Sequence, residues 1–80
     1  MACVRYWAGA RDVAGTPEQS LAATSLCALL AAVREEHGDR MGRLLEVGIV
    51  LVDGERADRG VDRALADSSV VEVLPPYAGG

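Results

Sequence analysis

Hydrophobic positions along the chain alternate with two different periods, and these divide it into strands and a helix. Cys3-Val4-Arg5-Tyr6-Trp7 is rich in β-formers. Strand alternation places Val4 and Tyr6 on one face and Cys3, Arg5 and Trp7 on the other. Residues 8–15 carry two glycines and are expected as a loop, and residues 17–21 as a short second strand. Leu26, Leu29, Leu30 and Val33 then recur at i, i+3, i+4, i+7, the spacing of an amphipathic helix. Thr24 or Ser25 supplies the N-cap oxygen and Gly38 the stop. Met41, Leu44 and Leu45 suggest a further short turn of helix over residues 39–45. Residues 47–52 are expected as a strand closed by the hairpin pair Asp53-Gly54. The charged stretch 55–63 reads as a return segment and loop, and 64–69 as a turn. The last strand is Val70-Val71-Glu72-Val73-Leu74, ended by Pro75 and Pro76, which cannot donate to a sheet ladder. This order predicts an α+β domain in which one main helix packs on one face of a mixed sheet. Residues 1–76 form the domain, and 77–80 a flexible tail.

Eighty residues bound the chain to one small domain. Half of them are hydrophobic and a quarter charged, a globular composition rather than a disordered one. Twelve acidic residues oppose eight basic ones, for a net charge of −4, which argues against nucleic-acid binding. All the basic residues are Arg. Without Lys, the chain has no side-chain amine for Schiff-base chemistry or for accepting an isopeptide bond. The apolar stretch 21–33 is too short to span a bilayer, and no secretion signal is visible. With two cysteines and no metal-ligand spacing, a reducing cytoplasm is the expected compartment and no metal is expected.

A self-contained active site does not emerge. His37, the single histidine, reads as a solvated residue at the helix end, favourable to the helix dipole. Cys27 reads as a small packing residue beside the leucine stripe, and nothing near Cys3 would activate it. The unusual feature is the C-terminus, where Pro75-Pro76-Tyr77-Ala78-Gly79-Gly80 follows the last strand. A terminal glycine has no Cβ, so its carboxylate is unhindered, and a Gly-Gly pair can thread a narrow channel. That is the layout of a carrier whose own carboxylate reacts, with catalysis supplied by other proteins.

This tail resembles the Pro-Pro-x-x-Gly-Gly end of the MoaD/ThiS family of ubiquitin-like sulfur carriers, which includes the small subunit of molybdopterin synthase. The start, Val4-Arg5-Tyr6-Trp7-Ala8-Gly9-Ala10-Arg11-Asp12-Val13-Ala14-Gly15, is similar to that family's first strand and loop. Trp7 stands where the family usually has Phe, and Asp12 where it often has Glu. The resemblance implies a β-grasp fold and a sulfur-donor subunit without catalysis of its own. An adenylyltransferase resembling the ubiquitin-activating enzymes would adenylate Gly80 with ATP, and a sulfur donor would convert it to a thiocarboxylate. Gly79 gives steric clearance, and Ala78 and Tyr77 complete the segment that enters the partner's channel. A large catalytic synthase subunit, in a heterotetramer, is the implied acceptor, and no cofactor is bound stably. Carriers serving thiamin, cysteine or secondary-metabolite synthesis, and ubiquitin-like protein modifiers, remain as alternatives.

If the first and last strands are neighbours, alternation puts Trp7 on the same outer face as Val70 and Leu74, opposite Val4, Tyr6, Val71 and Val73. An apolar cluster of Trp7, Leu74, Pro75 and Pro76 at the root of a reactive tail suggests a partner surface. Half-burial of Trp7 beneath a loop is the competing reading.

Overall fold

The structure, a computed structural model, describes residues 1–58 and 60–76. Eight elements follow one another: β1 (Ala2–Tyr6), α1 (Ala8–Ala14), β2 (Glu18–Leu21), α2 (Leu26–His37), α3 (Asp39–Val47), β3 (Ile49–Val52), β4 (Glu55–Arg56) and β5 (Val70–Leu74). The strands form one sheet in the order β2-β1-β5-β3-β4. The central pair β1–β5 is parallel, and the other pairings are antiparallel. The first and last strands are therefore neighbours, in a mixed sheet as expected.

One face of that sheet is the core. Val4, Tyr6, Val52, Val71 and Val73 point into it and meet Ala10, Leu26, Leu29, Val33 and Met41 from the three helices. The period-2 alternation of β5 survives intact: Val71 and Val73 are buried, while Val70, Glu72 and Leu74 are half-buried on the other side. In α2 the stripe is narrower than four leucine-type positions. Leu29 and Val33 are fully buried, and Leu30 is only partly so, packed at the core margin. Ser25 caps α2, its side chain accepting the Ala28 N–H at 3.2 Å. Asp53 and Gly54 both have positive φ, 50° and 84°, the conformation a two-residue hairpin of this type requires. The Asp53 carboxylate also accepts the Val70 N–H at 2.9 Å, tying the hairpin to the start of β5.

Three expectations are corrected. Residues 8–14 are not a loop but the helix α1, ended by Gly15 in the left-handed region at φ 75°. Three of its seven residues are alanines, strong helix formers. It buries Ala10 and contacts β1, β5 and α3, which supplies the stability a helix this short lacks alone. The short turn expected at 39–45 is a nine-residue helix reaching Val47, so β3 begins at Ile49 rather than at 47. The first strand ends at Tyr6, one residue before Trp7. The turn at 64–69 is present, with Ser69 Oγ accepting the Ala66 N–H at 2.9 Å.

Candidate functional site

The strand register assembles the outer face of the sheet from residues far apart in sequence. Cys3 pairs with Val70 and Arg5 with Glu72 across β1–β5. Across β5–β3, Glu72 pairs with Leu51 and Leu74 with Ile49. Trp7 continues from β1 onto this face, its own N–H bonded to the Val73 carbonyl at 3.1 Å. Its indole Nε1–H donates to Glu72 Oε2 at 2.9 Å, and the Arg5 guanidinium lies 5.7 Å from the ring centroid. Trp7 is 43% exposed, so it is not a core residue. Leu74 is half-buried beside it and Pro75 and Pro76 follow, half-buried and exposed in turn. Trp7, Leu74 and the two prolines thus share the end of the sheet where the chain leaves β5. Gly80, Gly79, Ala78 and Tyr77, the residues expected to carry and present the reactive carboxylate, lie outside the described residues.

Behind the tail root a groove of about 590 Å³ opens between α1 and α3, lined by Val13, Arg43, Leu44, Val47 and Pro76 among others. A second cleft, of about 300 Å³, lies beside α2 among Leu26, Leu30, Leu45, Val50 and Ala57, with Cys27 at its wall.

The nucleophile candidates are unactivated. Cys27 is exposed rather than packed, because it falls off the buried stripe of α2. Its N–H donates to Asp62 Oδ1 at 2.9 Å. A hydrogen bond to Asp62 is the first cause that pushes its thiol pKa up, and hydrogen bonds from Cys27, its backbone N–H foremost, pull the Asp62 carboxyl down. The Cys3 thiol is also pushed up, first by burial and then by the Glu18 carboxylate 3.5 Å away. Raised thiol pKa values oppose nucleophilicity at neutral pH.

His37 is not solvated, as the sequence suggested, but closes a polar cluster under the end of α2. Its Nε2 lies 2.6 Å from Gln19 Oε1 and 3.1 Å from Glu36 Oε2, and its ring meets Tyr6 edge-on at 5.6 Å. The Tyr6 hydroxyl donates to the same Gln19 oxygen at 2.5 Å. Burial, followed by the Glu36 charge, pushes the Tyr6 pKa up to about 12. This cluster ties β1, β2 and α2 together, and its groups are consumed by one another. Among the described residues no group of three His, Cys, Asp or Glu side chains is placed to hold a metal ion, and no helix is long and apolar enough to cross a membrane.

A mixed five-stranded sheet wrapped on one side around its helices, with both chain ends on adjacent central strands, is the β-grasp architecture of ubiquitin-like proteins. Within that class the chain belongs to the ThiS family, which matches it over residues 4–80. No curated protein sequence matches the chain significantly. Among solved structures, it is similar to the small archaeal modifier protein 1 of Methanosarcina acetivorans, with TM-score 0.77 at 22% identity over 99% of this chain and 95% of that one. The complex of subunits 1 and 2 of molybdopterin-converting factor from Helicobacter pylori gives TM-score 0.74 at 23% identity, covering 99% and 97%. The small archaeal modifier protein 1 of Haloferax volcanii gives 0.71 at 26% identity, covering 99% and 98%. The resemblance of the two chain ends to ubiquitin-like sulfur carriers of the MoaD/ThiS type is thereby borne out.

Proposed function

We propose that the chain is the sulfur-carrying small subunit of a molybdopterin synthase, acting in the cytoplasm through its C-terminal carboxylate. The observation that carries this reading is the family match, which runs through the Pro75-Pro76-Tyr77-Ala78-Gly79-Gly80 tail to residue 80. Its support comes from the root of that tail, where Trp7 and Leu74 share the outer sheet face and the two prolines follow at the same end of the sheet. A Helicobacter pylori structure of similar fold is a complex of two molybdopterin-converting subunits.

A free carboxylate is a poor electrophile, so activation comes first. A Gly80 carboxylate oxygen attacks the α-phosphorus of ATP, pyrophosphate leaves, and an acyl-adenylate forms on a separate activating enzyme. Hydrosulfide delivered by a donor then attacks the acyl carbon, the acyl C–O bond breaks, AMP leaves with its electron pair, and the S–H proton passes to solvent. The product is a thiocarboxylate, which the large subunit positions to pass sulfur to the cyclic pyranopterin precursor. ATP is thus a substrate of the activating enzyme rather than a cofactor of this chain. Gly79, Ala78 and Tyr77 occupy the partner's channel, while Trp7, Leu74, Pro75 and Pro76 dock outside it.

Intact mass after incubation with activating enzyme, ATP and a sulfur donor tests the carrier step. Replacing one carboxylate oxygen by sulfur adds about 16 Da. A chain whose mass stays unchanged is not a sulfur carrier. The modifier reading is favoured by the 26% identity to the Haloferax volcanii modifier. It predicts amide-linked adducts of this chain on lysines of other proteins, whereas the synthase reading predicts a stable complex with a large subunit.

A further inference from the structure

We propose that Gly48 is a positioning residue that sets the direction in which the carboxyl-terminal segment leaves the sheet. This rests on the carrier reading above and adds to it a residue outside the tail and outside the docking face. A Cβ at Gly48 would lie 2.4 Å from the Leu74 carbonyl oxygen, 2.6 Å from the Leu44 carbonyl oxygen and 3.5 Å from the Leu74 carbonyl carbon. The backbone of Gly48 is extended, at φ −85° and ψ −168°, a conformation open to any residue. Glycine is therefore required here by space alone.

The crowding atoms are all main chain, so no side-chain rotation relieves the clash. Which of them yields follows from how each is held. The Leu44 carbonyl accepts the Gly48 N–H at 2.8 Å, the bond that ends α3. Leu74 is the last residue of β5, opposite Ile49, and Pro75 and Pro76 beyond it have no N–H with which to continue the ladder. Displacement therefore passes to Leu74 and onward into the tail. The prolines, with φ fixed, transmit a change of direction instead of absorbing it. Leu74 and the prolines set where the segment beyond them starts, so a shift of about 1 Å at Leu74 misplaces the carboxylate that segment presents by a similar amount. Errors of that size in presenting a reacting group cost on the order of 100-fold in rate.

The test is steady-state adenylation of the purified chain by its activating enzyme, read as pyrophosphate release. Gly48→Ala is expected to lower kcat by tenfold or more, and KM for the carrier is expected to rise as well, because Leu74 and the prolines that shift also belong to the docking face. Gly42→Ala adds the same methyl group inside α3, against only the flexible Arg34 side chain, and is expected to match the wild type. Equal kcat for Gly48→Ala and wild type overturns the inference, as does a loss carried by KM alone. Circular dichroism monitors folding, and a partly unfolded variant is assayed in the cold with trimethylamine N-oxide, which favours the compact state. A variant that stays unfolded there makes Gly48 a requirement of the fold and also overturns the inference. A wild-type chain that is never adenylated overturns the carrier reading instead, so the two failures are distinguishable.

Discussion

Trp7 and Glu72 are joined across the two central strands, the indole N–H donating to the carboxylate at 2.9 Å while the Arg5 guanidinium lies 5.7 Å from the ring centroid. The bond fixes the ring orientation without burying it. An aromatic side chain held in one orientation and still 43% exposed loses little conformational entropy when a partner covers it. Trp7→Ala is therefore expected to weaken binding to the large subunit or the activating enzyme by about 2 kcal/mol or more. Its cost to folding is expected below about 1 kcal/mol, since an outward residue leaves no cavity. Titration calorimetry with the partner and urea melts without it separate the two effects. Loss of folding with normal binding by the folded fraction contradicts the assignment of Trp7 to the docking face.

Core energetics concentrate on Leu29 rather than on its neighbour. Leu29 is fully buried, whereas Leu30 lies at the core margin beside an open cleft. Leu29→Ala is expected to cost about 2–5 kcal/mol and Leu30→Ala less than half of that. In a domain this small the first is a large share of the total. Urea melts of the two variants, compared at equal m-value, check the order.

Alkaline unfolding is expected to follow Tyr6. Its pKa is raised in the folded chain to about 12 from the ordinary tyrosine value of 10.0, first by burial and then by Glu36. The neutral phenol is the form the fold favours, so its stabilising contribution is complete below pH 10 and is lost as pH rises towards 12. Tyr6→Phe is expected to flatten this part of the profile, with some loss of stability at neutral pH because the bond to Gln19 disappears. Urea midpoints of both proteins across that alkaline range provide the measurement.

Deleting Gly80, or adding one residue after it, is expected to abolish the gain of about 16 Da that marks the thiocarboxylate. Among the described residues the core and the sheet ladder extend no further than Leu74, so the urea midpoint is expected to stay within error of the wild type. A deletion variant that still gains sulfur would place the reactive carboxylate elsewhere.

At Gly42 the packing of α3 on α2 depends on a side chain that can move. A Cβ there would meet Arg34 Nε at 2.8 Å and its Cγ and Cδ at 3.2 Å. Gly42→Ala is expected to shift the arginine and leave stability within about 1 kcal/mol of the wild type, because alanine's helix propensity offsets the disturbed contact. Urea melts decide it.

Local pattern was enough to determine α2 with a cap at Thr24 or Ser25, the inward faces of β1 and β5, the Asp53-Gly54 turn and the prolines that end the sheet. Each of these is encoded over a few residues, by a period of 3.6 or 2 or by the backbone angles a residue type permits. The type of the tail, with its Gly79-Gly80 end, was equally plain in the chain itself. Tertiary packing decided the rest. Residues 8–14 become helical because Ala10 finds a buried place against the sheet and α3, a gain invisible to local propensity. Leu29 and Leu30 are indistinguishable as letters in a stripe, and the placement of α2 on the sheet buries one more deeply than the other. His37 and Cys27 exchanged their expected settings because the end of α2 lies over Tyr6 and Gln19, while its first turn faces Asp62. The joining of Trp7 to Glu72, and the closeness of Gly48 to Leu74, depend on strands 65 and 26 residues apart becoming neighbours. A period in sequence specifies which side of an element faces inward, but the residues that meet it there are fixed only when distant elements pack.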